Sequence, residues 1–282
     1  MRYLTLLFLA MLCSGTTLAQ LATPDESGIA YGHMHLNVSS IDQHLPIWTE
    51  HFGGEEIAIG PLRAVKFPNM IVMFAEQTPT MGSRETVMDH FGFKVRNIQR
   101  FIDKWEAAGF EMGRVFTGAE GQINAYVTLP DGVYVELQED QGLREEFTGY
   151  HVHYFTSQYE ELLDWYVEIF GLEIRRRGTI ATTTNVPGSN LSFGNSNSPR
   201  APTLGTAIDH VGFEITNLED FCRSLAERGI EFEVPYREIE ALGLAVAFFT
   251  DPSGVRIELT DCLLYTSPSP RDRTRSRMPS SA

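Results

Sequence analysis

The chain has 282 residues, 43% of them apolar, enough for a sizeable core in one large or two small domains. Its formal net charge of −15 argues against nucleic acid and anionic lipid as partners, because a field of that sign repels phosphate. Of three cysteines, Cys13 and Cys262 lie in atypical end segments, so the core is expected to hold no intramolecular disulfide.

Residues 1–19 read as a secretory leader. Arg2 is the single cation, an apolar run extends from Tyr3 to Cys13, and Thr17-Leu18-Ala19 fits a cleavage site before Gln20. The run is too short for a permanent membrane anchor. Leu12 stands before Cys13, where lipid attachment needs a small residue. The expectation is a periplasmic or secreted protein that does not enter a membrane.

A first unit opens at "GHMHLNV" (32–38). Alternation along a strand puts His33, His35 and Asn37 on one face and Met34 and Leu36 on the other. "HLPIWTEHFGGE" (44–55) follows, and the unit closes at "NMIVMFA" (69–75), with no carboxylate around Met73.

The second unit opens at "MDHFGFKV" (88–95), where His90, Gly92 and Lys94 share a face. A helix is then expected, with Asn97 as N-cap, an apolar stripe of Ile98, Phe101, Ile102 and Trp105, and Gly109 as stop. "AYVTLPDGVYVELQ" (125–138) reads as strand, Pro-Asp-Gly turn and strand, with Tyr126 on the strand entering the turn and Glu136 on the strand that follows it.

The third unit opens at "YHVHYFT" (150–156), with His151 and His153 on one face. "ELLDWYVEIFGLE" (161–173) loosely repeats the helix region of the first. The Asn/Ser/Pro-rich stretch 185–202 reads as loop with little strand, and "SNLSFG" (189–194) offers no carboxylate around Phe193.

The fourth unit, "IDHVGFEITNLEDFCRSLAERGIE" (208–231), parallels residues 88–111. His210, Gly212 and Glu214 share a face. Asn217 is the expected cap, Leu218, Phe221, Cys222 and Leu225 the stripe, and Gly229 the stop. Cys222 reads as a buried small hydrophobe on that stripe. "DPSGVRIELT" (251–260) parallels "LPDGVYVELQ" (129–138), placing Glu258 where the second unit has Glu136; Phe248 stands where it has Tyr126.

Residues 262–282 break the pattern. They are rich in Ser, Pro and Arg, have no periodicity and reverse the charge sign. They resemble a translated sequencing adapter, and are expected to be disordered and foreign to the fold.

The strand openings, the Pro-Asp-Gly and Pro-Ser-Gly turns before "VEL" and "IEL", and the fourfold order across 29–261 resemble the vicinal oxygen chelate (VOC) superfamily. That superfamily includes glyoxalase I, bleomycin resistance proteins and extradiol dioxygenases. The resemblance implies an α+β fold of four βαβββ units, paired into two consecutive VOC (glyoxalase-like) domains with curved mixed sheets, at 29–140 and 147–261. It also implies metal ligands on the first and last strands of units. Taken half by half, these are His33, His90 and Glu136, then His151, His210 and Glu258. A lone strand histidine is more often an ordinary satisfied residue; four at equivalent openings, with two Glu at equivalent endings, carry the expectation. Two imidazoles and one carboxylate suit Fe2+, Mn2+, Zn2+ or Ni2+, and three ligands leave positions open for a substrate.

His35 beside the first triad is then a candidate acid–base group, and Tyr126 a catalytic one, because extradiol dioxygenases resemble this chain in having tyrosine there. Lys94, Asn37 and His153 are candidate substrate contacts, with a rim lysine and strand-to-strand hydrogen bonds as the ordinary alternatives. Two departures stand out. No histidine precedes the second-unit strand where those dioxygenases carry one, only Glu76 and Glu85, and the fourth ligand of glyoxalase I has no counterpart. The expected function is an exported metal-dependent enzyme chelating vicinal oxygens of a small molecule, with dioxygenase or lyase/isomerase chemistry, acting as a monomer or homodimer. The alternative is a non-catalytic, bleomycin-resistance-like binding protein.

Overall fold

The computed structural model describes residues 21–262. The leader expected at 1–19, and all of the adapter-like tail beyond Cys262, lie outside the described residues. No helix among the described residues is long and apolar enough to cross a membrane.

The four units are visible in chain order. The first comprises β1 (Ile29–Val38), α1 (Ile41–Pro46), β2 (Glu55–Ile59), β3 (Leu62–Phe67) and β4 (Met70–Glu76). A π-helical turn, Ile47–His51, continues α1 beyond Pro46. The second comprises β5 (Met88–Val95), α2 (Ile98–Ala107), β6 (Val115–Thr117), β7 (Ile123–Thr128) and β8 (Tyr134–Glu139). The third comprises β9 (Phe147–Thr156), α3 (Tyr159–Phe170), β10 (Thr183–Val186) and β11 (Ser189–Asn195). The fourth comprises β12 (Ile208–Ile215), α4 (Leu218–Glu227), β13 (Phe232–Ile239), β14 (Leu244–Thr250) and β15 (Arg256–Cys262).

The third unit departs from the expected order. It has two strands after its helix, and residues 172–182 make only isolated bridges, Ile174 with Thr184 and Arg177 with Ile180. The stretch expected to be loop from residue 185 instead holds the end of β10 and all of β11. Its Asn and Ser residues mask a strand alternation: Leu191 and Phe193 enter the core while Asn190 and Ser192 are buried on the opposite face. Asn190 Nδ2 donates to Thr184 O at 3.0 Å and Asn185 Oδ1 at 2.7 Å, so the polar side chains stitch the strands together.

Helix ends divide in the same way. Asn97 caps α2 as expected, its side chain accepting from Arg100 N at 2.9 Å. Asn217 does not cap α4. It sits in the left-handed region at φ 59° and gives Nδ2 to Asp220 Oδ2 at 2.6 Å. The Leu218 N–H turns instead to Asp261 Oδ2 on β15 at 3.4 Å.

Two sheets result, one of eight strands in the order β13-β14-β15-β12-β1-β4-β3-β2 and one of seven in the order β10-β11-β9-β5-β8-β7-β6. Both are mixed: β1 runs parallel to β4 and β12 to β15 in the first, and β5 to β8 and β9 to β11 in the second. The central joints are antiparallel, β1 with β12 and β5 with β9. The first unit therefore shares a sheet with the fourth, and the second with the third. Each sheet is built from strands of both sequence halves.

The side of each sheet that carries Met34, Leu36, Phe91, Phe93, Val211 and Phe213 enters one continuous core. Helical segments bridge the sheets through that core. Trp48 stacks 6.0 Å from Phe91 of the seven-stranded sheet, and Phe170 of α3 lies 5.0 Å from Phe213 of the eight-stranded one. The opposite sides carry the histidines.

Candidate metal centres

Strand register explains why histidine and glutamate converge. Gly212 pairs with His33 on one side and with Glu258 on the other. A residue with no side chain between them lets both lean over its backbone. His33 Nε2 lies 2.9 Å from Glu258 Oε2, and His210 Nε2, two residues before Gly212, lies 2.9 Å from the same oxygen. The other sheet repeats the device. Gly92 pairs with His151 and with Glu136. His90 Nε2 and His151 Nε2 lie 3.0 and 2.9 Å from Glu136 Oε2.

The expected ligand residues are thus brought together, but not in the expected sets. His90, Glu136 and His151, joined by His153, form the first cup; His33, His210 and Glu258 form the second. The half-by-half sets His33/His90/Glu136 and His151/His210/Glu258 are corrected, because β1 pairs with β12 and not with β5. The expected catalytic pair is separated too. Tyr126 stands beside the first cup, in register with Glu136 and with its ring 5.2 Å from that of His90. His35 belongs to the second cup, its ring 4.5 Å from that of His210, where Phe248 fills the position matching Tyr126.

The candidate substrate contacts fare differently. His153 lies in the first cup. Lys94 gives its charge to Asp140 at 2.8 Å and covers the Tyr150 ring at 4.5 Å. Asn37 is buried and its Nδ2 donates to Thr206 O at 3.1 Å and Asp209 Oδ2 at 3.0 Å, so it braces the site wall and is not free for a ligand.

The sequence reading passed over the aspartates that precede two of the histidines. His90 Nδ1 donates to Asp89 Oδ1 at 2.7 Å, and His210 Nδ1 to Asp209 Oδ1 at 2.6 Å. The signal was present in the repeated Asp-His doublets of "MDH" and "IDH". Each aspartate is held by an arginine, Asp89 by Arg200 at 2.8 Å and Asp209 by Arg256 at 3.0 Å. Asn124 Nδ2 steadies the far oxygen of Glu136 at 2.5 Å.

These contacts make the cups fit a divalent cation. A neutral imidazole that donates Nδ1–H to aspartate presents its Nε2 lone pair to the glutamate. Two acceptors 2.9–3.0 Å apart repel unless a proton or a cation lies between them. Burial opposes the charged form of His90 and of His210, but hydrogen bonds with Asp89 and Glu136, or Asp209 and Glu258, outweigh it and raise both pKa values. Burial likewise works against the Glu136 carboxylate, yet His151 and His90 hold it well below the usual range. Burial pushes His151 down to about 4 and His35 down to about 3, so both are neutral and keep a lone pair at physiological pH. Burial above all raises the Tyr126 phenol, which stays protonated.

Residues 150–259 match the family model described as the Glyoxalase/Bleomycin resistance protein/Dioxygenase superfamily. No curated protein matches the chain in sequence. Among solved structures, a mutant of glyoxalase I from Zea mays superposes with a TM-score of 0.66 at 16% identity, covering 86% of this chain and 96% of its own. Glyoxalase I from Zea mays in another structure gives 0.64 at 17%, covering 84% and 94%. A Bacillus subtilis protein described as a candidate dioxygenase gives 0.66 at 13%, covering 86% of each chain. Residues 150–259 are therefore similar to the Glyoxalase/Bleomycin resistance protein/Dioxygenase superfamily, within a fold that most of the chain shares with glyoxalase I.

Proposed function

We propose that this chain is an exported metal-dependent enzyme with two cups, each holding a divalent cation through two histidines and one glutamate. Fe2+, Mn2+, Zn2+ and Ni2+ all suit that donor set. The observation that carries the reading is the convergence of two buried Nε2 atoms on a single glutamate oxygen, made twice with the same glycine gap. A bound divalent ion would act as a Lewis acid on vicinal oxygens of a small-molecule substrate. Dioxygenase and lyase/isomerase chemistries both use that polarisation.

The protein's own groups then divide the work. In the first cup Tyr126 presents a protonated hydroxyl, and His153, neutral through burial, stands beside the ligands with its Nε2 accepting from Arg177 Nη2 at 2.9 Å. In the second cup His35 is the histidine at the matching position, neutral through burial and a candidate proton acceptor, and Phe248 in place of Tyr126 removes the phenolic donor. That difference favours the first cup as the reacting site and supports a binding-only role for the second. Export rests on the leader-like residues 1–19.

Elemental analysis of purified protein after reconstitution with each of the four metals tests the reading. Stoichiometric metal, lost from one cup in Glu136→Gln and from the other in Glu258→Gln, is the expected result. Failure to retain any of the four would overturn it. Oxygen uptake with catechols against turnover of 2-oxoaldehydes separates the two chemistries, and cell fractionation tests export.

A further inference from the structure

Arg177 is the group in the first cup that metal binding does not use. Its neighbour Arg175 is exposed and pairs with Glu173 at 3.0 Å, whereas the side chain of Arg177 is only 6% exposed. Its guanidinium donates Nη1 to Gln138 Oε1 at 3.1 Å and Nη2 to Ser192 Oγ at 3.2 Å, and Nη2 lies 2.9 Å from His153 Nε2. All three partners are uncharged. The Glu120 carboxylate stands off at 3.8 Å and is already engaged by Gln138 Nε2 at 2.8 Å and the Tyr150 hydroxyl at 3.4 Å. Arg177 Nε is buried with no hydrogen-bond partner. The one carboxylate paired with this buried cation thus lies beyond hydrogen-bond reach, and the Nε–H donor is left over for an anionic oxygen.

The location is as informative as the missing partner. Gln138 follows Glu136 by two residues on β8, and His153 follows His151 by two on β9, so both point to the cup side of the sheet. The guanidinium is thus bonded to the cup face itself. Of the other cations near this cup, Lys94 pairs with Asp140 and Arg200 with Asp89, while Arg84 and Arg114 lie over the Tyr134 and Phe116 rings and do not bond to the Gln138 and His153 side of the cup. The second cup has the opposite balance. Its own arginine, Arg256, is paired twice, with Asp209 at 3.0 Å and with Glu233 at 2.9 Å. Where the first cup has Lys94, the second has Glu214, a carboxyl accepting from Thr260 Oγ1 at 2.9 Å.

We propose that the two cups select their ligands by charge: the first takes a vicinal-oxygen chelator that carries an additional carboxylate or equivalent oxyanion, with Arg177 as its specificity-determining residue, and the second takes an uncharged one. The inference rests on the metal reading above. A planar guanidinium suits the ligand class, because its fixed N–H donors match a carboxylate's two oxygens.

Calorimetric titration of the Mn2+-loaded protein with 3,4-dihydroxybenzoate and 3,4-dihydroxybenzamide isolates charge, since the two chelators differ only in the carboxylate. With Glu258→Gln leaving the first cup intact, the benzoate should bind about tenfold or more tighter than the amide, as for a charge-assisted pair. Arg177→Gln should bring that ratio close to unity, and Arg177→Lys should retain part of it. A purely structural Arg177 would lower stability or weaken both ligands alike, leaving the ratio unchanged, and that result overturns the proposal. If Arg177→Gln does not fold, Glu258→Gln and Glu136→Gln proteins still decide it: equal ratios in the two cups sink the idea. Should no Mn2+ bind, the metal reading fails on its own. The same pair titrated into metal-free protein then decides charge selection, supported by a benzoate preference and overturned by none.

Discussion

His33 and Glu258 are 225 residues apart in the chain and 2.9 Å apart at Nε2 and Oε2, and Gly212 is the residue that lets them meet. A Cβ on that glycine would fall 2.0 Å from His33 Cε1. The equivalent Cβ on Gly92 would fall 2.2 Å from His151 Cε1. Gly212→Ala and Gly92→Ala should each displace one imidazole and cost about 1–3 kcal/mol of stability by overpacking. Each should also release metal from its own cup alone. Metal content together with denaturant unfolding checks both, and retention of metal in both cups of either variant would contradict the geometry.

Ligand pairing is testable by double substitution. His33→Ala and Glu258→Gln strike the same cup, so combining them should lose no more metal than either alone. His33→Ala with Glu136→Gln should empty both cups. The half-by-half sets would reverse these outcomes, so one set of metal assays on the four proteins discriminates between them.

Asp251 provides a pH signature away from the metal sites. Burial pushes its carboxyl from an ordinary 3.8 up to about 6, against the lowering effect of the Val255 and Ser253 N–H groups and the Tyr166 hydroxyl. A carboxyl whose folded pKa is raised binds its proton more tightly when folded. Its contribution to stability is therefore complete below 3.8 and is lost as pH rises through about 6. The shift corresponds to about 3 kcal/mol. Asp251→Asn, which stays uncharged, should be more stable than the unmodified protein at pH 7, with the advantage shrinking toward pH 4. Urea midpoints at both pH values measure it; an advantage that does not change with pH would refute this account.

The two asparagines that precede helices should respond differently to serine. Asn97→Ser keeps a capping oxygen and should change stability by less than about 0.5 kcal/mol. Asn217→Ser places a poorly suited residue in the left-handed region and should cost about 1 kcal/mol, while Asn217→Gly should recover it. Equal responses at the two sites in thermal unfolding would mean that Asn217 caps after all.

Much of this molecule could be read directly from its residues. The repeated openings around His33, His90, His151 and His210, and the endings at Glu136 and Glu258, are local patterns. Strand alternation then says which neighbours share their face. Asp89 and Asp209 were equally visible as doublets, but a residue next to a ligand is expected to point to the opposite face, and only the irregular start of each strand brings it back to the ring nitrogen. Arg177 had no local signal. It follows two other arginines in "RRR", and nothing in that run marks the third as buried.

The sequence by itself determined the α+β unit, its fourfold repetition and the six side chains that gather in the cups. The tertiary structure alone decided which of them gather together. Each half carries two histidines and one glutamate, so composition and spacing are satisfied equally well by either pairing. The choice is made by the antiparallel joints between β1 and β12 and between β5 and β9, whose backbone hydrogen bonds link segments far apart in the chain. A hydrogen-bond ladder reads register and not sequence distance. For that reason the partner of His33 is a glutamate near the far end of the fold and not the one in its own half.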